Sequence, residues 1–146
     1  MDPAGPALTP EAFARIVRDA SDEQLAAGLR ANREVILPEV FRQMPANLDG
    51  AAAAGVDAVV EWRIGGRDDG GHDAWQVTVR DGRATVERGA GADPDVVFEV
   101  AAIDFLRLIA GAVEGPLLFM HGRLRVHGDL VLALRMPQLF RLPAPG

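Results

Sequence analysis

The sequence predicts an α+β fold: one mostly antiparallel, five-stranded sheet covered on one face by helices. Three observations predict it. Apolar residues recur at helical spacing near both ends, and alternate with polar ones in short runs between. Asp81-Gly82 separates two of these runs, and this dipeptide tolerates the positive φ angles of a tight hairpin turn. The remaining runs are bounded by connectors rich in Gly, Ala and Asp, at 49–55 and 65–71.

The elements follow in order. Residues 1–8, with two prolines and a glycine, read as a loose tail, and 9–146 as a single domain. Thr9, Pro10 and Glu11 suit the cap and first turn of a helix running to about Asp19. Ser21 and Gln24 have capping-box spacing, and a second helix follows with Leu25, Leu29, Ile36, Val40 and Met44 on one stripe. Pro38 removes a backbone donor inside it, which predicts a kink or short break near Leu37; Pro45 ends it. The two N-terminal helices thus occupy 9–45, and the sheet with its later helices 56–142.

The period then changes to two. Val56, Ala58, Val60, Trp62 and Ile64 face the core, with Asp57, Glu61 and Arg63 opposite. Trp75, Val77 and Val79 form the second inward set, Ala84 and Val86 the third, and Val96, Phe98 and Val100 the fourth. A helix follows over 101–113, with Ile103, Leu106, Ile109 and Val113 as its stripe, Phe105 and Leu108 widening it, and Gly111 or Gly115 ending it. A short helical turn, LLFMH, is broken by Gly122. RLRVH is the fifth strand, with Leu124 and Val126 inward. Asp129 is placed to cap a last helix, LVLALRMPQLF, that Pro137 interrupts.

Composition excludes several chemistries. There is no cysteine, which removes disulfides, thiolate catalysis and cysteine-ligated metal and fits a reducing compartment. There is no lysine and no tyrosine, so no Schiff base and no phenolic acid. Ser21 is the only serine, and Thr9, Thr78 and Thr85 the only threonines, so the menu of nucleophiles is nearly empty. The net charge of −6 opposes general nucleic-acid binding. The charge is uneven: residues 121–146 carry Arg123, Arg125, Arg135 and Arg141 against Asp129 alone, a pattern open to weak docking on an anionic membrane surface. No stretch is long and apolar enough for a membrane span, and the N-terminus lacks the pattern of a signal peptide, so the chain reads as cytoplasmic. The GGRDDGG segment lacks the lysine and Ser/Thr of a phosphate-binding loop, and its aspartates repel phosphate.

From about residue 55 onward the chain resembles the sterol carrier protein type 2 family, the non-specific lipid-transfer domain. The resemblance is carried by W-x-V-x-V-x-D-G at 75–82, Arg88-Gly89 and Asp93-Pro94, D-F-L-R-L-I-A-G at 104–111, and F-M-H-G-R-L-R-V-H-G-D-L-V-L-A-L at 119–134. R-Q-M-P at 42–45 resembles the N-terminal part of bacterial relatives. The resemblance implies an apolar tunnel between the sheet and its helices, binding fatty acids, fatty acyl-CoA, sterols or other lipids without altering them. The chain departs from the pattern at Pro137, in the helix that helps close the tunnel, and it lacks a peroxisomal targeting end.

The leading functional expectation is therefore a non-enzymatic carrier of a hydrophobic ligand, with no cofactor, no metal and no catalytic residue. Candidate lining residues are Trp62, Trp75 and Phe98 from the strands and Phe105 and Ile109 from the helix after them. Leu118, Phe119 and Met120 belong to the short turn, and Leu132, Met136 and Phe140 to the last helix. The competing reading is an enzyme or biosynthetic accessory protein, cyclase- or isomerase-like, with His121 as acid–base group. Its constellation adds His127, Asp129 and His72, but no metal-binding spacing occurs on a helix. Presentation of the ligand to a partner enzyme, and a monomer or homodimer, both fit the sequence.

Overall fold

The computed structural model describes residues 10–140. The predicted tail, the Thr9 cap and Arg141 lie outside these residues. Helix α1 (Pro10–Asp19) is followed by α2 (Asp22–Gln43) and a 3-10 turn at Met44–Asn47. Strands β1 (Ala58–Gly65), β2 (Asp73–Arg80), β3 (Arg83–Arg88) and β4 (Val96–Ala101) come next. Helices α3 (Ala102–Ile109) and α4 (Gly115–Met120), strand β5 (Leu124–Gly128) and helix α5 (Leu130–Leu139) complete the order.

The sheet has the order β3-β2-β1-β4-β5. Only β1 and β4 pair in parallel; the other three pairs are antiparallel. Asp81 (φ 55°) and Gly82 (φ 71°) both take the left-handed conformation that the β2–β3 turn demands. Gly128 is required for a different reason. A Cβ there would lie 2.5 Å from the Asp95 carbonyl oxygen, so only glycine lets β5 approach the start of β4 before α5 begins.

The predicted inward residues are buried along β1, β2 and β4, and form one core with α1, α2, α3 and α5. Of the three anticipated helix caps, the two that fall within the described residues are present. Ser21 and Gln24 make a full capping box, and the Asp129 carboxylate accepts from the Leu132 N–H.

Four features differ from the sequence reading. The break in α2 falls at Asn32 (φ −135°, ψ 22°), not near Leu37. Pro38 stays helical because the segment after Asn32 is held from outside, by Leu37 and Phe41 in the core and by Arg33 on the sheet. Pro137 does not interrupt α5, which continues to Leu139. Helix α3 stops at Ile109 and buries Ala102, Asp104, Phe105 and Leu106, leaving Val113 outside the helix. Glu61, assigned to the solvent face, is 1% exposed. The segment after β3 closes over it: Gln76 Nε2 donates to Glu61 Oε1 (2.9 Å) and to the Ala92 carbonyl (2.7 Å).

Candidate functional site

The space between sheet and helices is occupied by stacked rings. Phe41 lies against Trp75 (4.7 Å between centroids) and against Phe105 (5.2 Å). Trp62 stacks on Phe98 (4.6 Å) and meets Phe105 edge-on (5.2 Å). Sheet register explains the arrangement, because Trp62 is the cross-strand partner of both Trp75 and Phe98. Phe41, which the sequence reading did not single out, bridges the two halves. The signal for it was its place one turn after Leu37 on the downstream half of α2.

The other predicted lining residues are spread more widely. Leu118, Leu132 and Met136 are buried in the core, and Ile109 and Phe140 are half-buried against it. Phe119 and Met120 are exposed, as are Leu130, Val131 and Leu134 on the outer side of α5. Two of the buried residues carry an unmet polar group: the indole N–H of Trp62 and that of Trp75 have no acceptor.

Open apolar space lies elsewhere. A cleft of about 520 Å³ runs between α1, the upstream half of α2 and α3. Phe13, Ile16, Val17 and Ala20 of α1 line one side. Leu25, Gly28, Leu29 and Ile36 of α2 line the other, with Leu106 of α3 at the base. Asp19 and Gln24 are its polar residues. None of the eleven residues expected to line a tunnel borders this cleft. Its volume falls in the range of small-molecule sites, roughly 300–1,000 Å³.

A second cavity, of about 320 Å³, is polar and sits where the parallel strands β1 and β4 end. The glycines of the 65–71 connector, His72, Glu99 and three arginines line it. Two of the arginines face carboxylates of their own: Arg63 bonds Glu61 (2.6 Å) and Arg123 bonds Asp104 (2.8 Å). Arg125 lies opposite Glu99 in the strand register, while the Glu99 carboxylate meets His127.

The histidine constellation does not assemble. His127 Nε2 lies 2.7 Å from Glu99, Asp129 is engaged as the α5 cap, and His121 is exposed and lines neither cavity. The described residues contain no group of three or more His, Asp or Glu placed to hold a metal ion.

Sequence reasoning missed the densest polar cluster. Asp73, 6% exposed, receives Arg33 Nε (2.8 Å), Arg67 Nη1 (3.0 Å) and Arg88 Nη2 (3.3 Å). Arg33 also donates to the carbonyls of Ile64 (2.7 Å) and Gly65 (3.1 Å). Arg88 reaches Glu34 on α2 (2.8 Å) and lies over the Trp75 ring. Burial pushes the Asp73 carboxyl up, but the hydrogen bonds from Arg33 and Arg88 and the nearby arginine charges outweigh it. Its pKa is held below the ordinary carboxylate value.

Comparison with known proteins places this architecture. Residues 37–141 match the SCP-2 sterol transfer family, and the chain belongs to that family. That membership supports binding of hydrophobic lipids. Hydroxysteroid dehydrogenase-like protein 2 of Mus musculus is 28% identical over 102 residues, covering 69% of this chain and 20% of the relative. The chain thus spans about one fifth of the length of that curated relative. Sterol Carrier Protein 2 Like 2 from Aedes aegypti shares the fold (TM-score 0.57, 22% identity, 76% of this chain and 98% of that one). So does the sec-alkylsulfatase Pisa1 from Pseudomonas sp. (TM-score 0.62, 21% identity, 78% of this chain and 18% of that one). Among the described residues no helix is long and apolar enough to cross a membrane. The family match begins at Leu37, so the segment supplying most of the cleft wall, α1 and the upstream half of α2, precedes it.

Proposed function

We propose that this chain is a non-enzymatic carrier of a hydrophobic ligand, and that the ligand lies in the cleft between α1, the upstream half of α2 and α3. The observation that carries the reading is about 520 Å³ of open, mostly apolar space in a chain of the SCP-2 sterol transfer family. Burial of each methylene contributes about 0.8 kcal/mol, so a chain of a dozen carbons gains roughly 10 kcal/mol gross. Ordering and association subtract at least about 4 kcal/mol, which leaves about −6 kcal/mol, an affinity of some tens of micromolar.

The direct test is native mass spectrometry of the purified protein, with extraction of any bound compound, followed by titration with a fluorescent lipid. Stoichiometric occupancy by an apolar molecule is expected. Ile16 lines the cleft yet is 57% exposed, so Ile16→Asp places a charge at the ligand without emptying the core. It is expected to weaken lipid binding with little change in thermal stability. An empty protein that ignores the fluorescent lipid defeats the proposal.

A second reading keeps the ligand in the sheet–helix layer, among Trp62, Trp75, Phe98, Phe105 and their neighbours. It is favoured by the two indole N–H groups without acceptors, which a polar atom of a ligand would satisfy. This reading requires the stacked rings to part. A ligand-dependent change in tryptophan fluorescence that survives Ile16→Asp would select it over the cleft.

A further inference from the structure

We infer that the polar cavity at the ends of β1 and β4 is a binding site for a phosphomonoester. The site is separate from the lipid cleft and from the ring layer. Arg63, Glu99 and Arg125 alternate along their strands with Trp62 and Ile64, with Phe98 and Val100, and with Leu124, all buried in the core. The three charged side chains that line the cavity from the strands therefore stand on the other face of the sheet.

Sheet register sets these charges in a row. Arg63 on β1 is the partner of Glu99 on β4, and Glu99 is the partner of Arg125 on β5. Glu99 and Arg125 stand directly opposite each other on antiparallel strands, near enough to pair. They do not pair, and neither does Arg63 with Glu99; the carboxylate goes to His127 Nε2 (2.7 Å). Arg125 has no hydrogen bond or ion pair among the described residues. Arg63 gives its Nε to Glu61, and its two Nη groups have no partner among the described residues. Arg123 holds Asp104 through Nε (3.0 Å) and Nη2 (2.8 Å), which leaves Nη1 without one.

Two of the three guanidinium groups are thus fixed from behind by buried carboxylates, Glu61 and Asp104, and keep unbonded N–H groups at the cavity they line. The third, Arg125, is exposed and can close on a ligand. Guanidinium forks match phosphate oxygens, and a fork already held in place loses little freedom on binding. A phosphomonoester presents three terminal acceptor oxygens, enough to take donors from three arginines at once. Its charge meets the one guanidinium that no carboxylate of the chain balances.

Glycine keeps the space open. Gly65, Gly66, Gly70, Gly71 and Gly122 line it, so backbone forms much of its wall. Its volume of about 320 Å³ is at the lower end of the range of small-molecule sites, roughly 300–1,000 Å³, which suits a phosphate with a short body. The aspartates of the 65–71 connector, expected from the sequence to repel phosphate, are turned aside. Neither lines the cavity, and Asp69 is held by Arg67 (2.8 Å) and by the Gly71 N–H (2.8 Å).

The test has two arms, because the same phosphomonoester occurs free and as a lipid head group. The first is titration calorimetry with glycerol phosphate at neutral pH and low salt, with glycerol as the control. The second is flotation with phosphatidylcholine vesicles that carry phosphatidic acid. Saturable binding of one phosphomonoester per chain is expected, and none of glycerol. Arg125→Gln, at an exposed position, is expected to weaken binding about tenfold with an unchanged melting temperature. Arg83→Gln, which removes the same charge from an exposed position on β3 outside the cavity, is expected to leave binding unchanged. Binding of glycerol phosphate without retention on the vesicles makes a soluble ester the ligand. Retention on phosphatidic acid that Arg125→Gln loses and Arg83→Gln keeps makes the head group its source. Failure in both arms, or equal weakening by Arg125→Gln and Arg83→Gln, overturns the site and leaves the lipid-carrier reading untouched.

Discussion

Helix α2 is one element in sequence and two regions in physics, divided at Asn32. Downstream of the break, Arg33 is fastened to Asp73 and to two β1 carbonyls, Glu34 to Arg88, and Phe41 to Trp75 and Phe105. Upstream, the helix and α1 are held mainly by apolar contacts such as Leu25, Leu29 and Val17, which border open space, with Arg107 of α3 reaching Asp22 and the Ala20 carbonyl. Polar fastening and stacked rings make the downstream region rigid. Apolar contact around a void leaves the upstream region able to move at low cost. A carrier needs both: a frame that does not change, and a wall that admits a ligand.

Removing the frame should have the largest effect. Phe41 is fully buried at the centre of the ring stack. Phe41→Ala is expected to cost about 3–5 kcal/mol in urea denaturation, with loss of cooperativity throughout the chain. A loss confined to α1 and the upstream half of α2 would show that the two regions are not divided as described.

Asp73→Asn should come next. It leaves Arg33, Arg67 and Arg88 facing one another around a neutral amide. Breaking a fully buried pair costs about 3–5 kcal/mol, and since Arg67 and Arg88 reach solvent, a loss of about 2 kcal/mol is expected here. The same group sets a pH dependence. Its folded pKa lies below the ordinary value of about 3.9, so its contribution is complete above that pH and is lost as pH falls through the folded value. Wild-type stability should therefore decline below about pH 4 by an amount that Asp73→Asn removes. A variant with the same acid limb as the wild type would contradict the clamp.

The sheet was legible because alternation, a two-residue turn and a cap each act over a few residues. Val60, Trp62 and Ile64 declare an inward face by themselves, Asp81-Gly82 declares a turn, and Ser21 with Gln24 a helix start. The Asp73 clamp was not legible. Its arginines come from α2, from the β1–β2 connector and from β3, and only the fold brings them to one carboxylate. Glu61 misled for a similar reason: its outward register is as predicted, but the segment carrying Ala92 folds back over it. The cleft is harder still. Periodicity shows that Phe13, Val17, Leu25 and Leu29 face inward, not whether the facing side chains are large enough to meet.

The smallest expected effect probes the upstream region alone. In the capping box the Ser21 hydroxyl accepts from the Gln24 N–H (3.1 Å), and Gln24 Oε1 accepts from the Ser21 N–H (2.9 Å). Ser21→Ala leaves the Gln24 amide unmet at the first turn, at a cost of about 1 kcal/mol. Because α2 is broken at Asn32, that cost should stay local. Amide hydrogen exchange is expected to quicken from Leu25 to Ala31, while protection from Ile36 to Phe41 is unchanged, since those amides open only with the frame. Faster exchange along the whole of α2 would mean that Asn32 is a bend within one cooperative helix. The wall and the frame would then move together, and the ligand would have to enter by loosening the sheet itself.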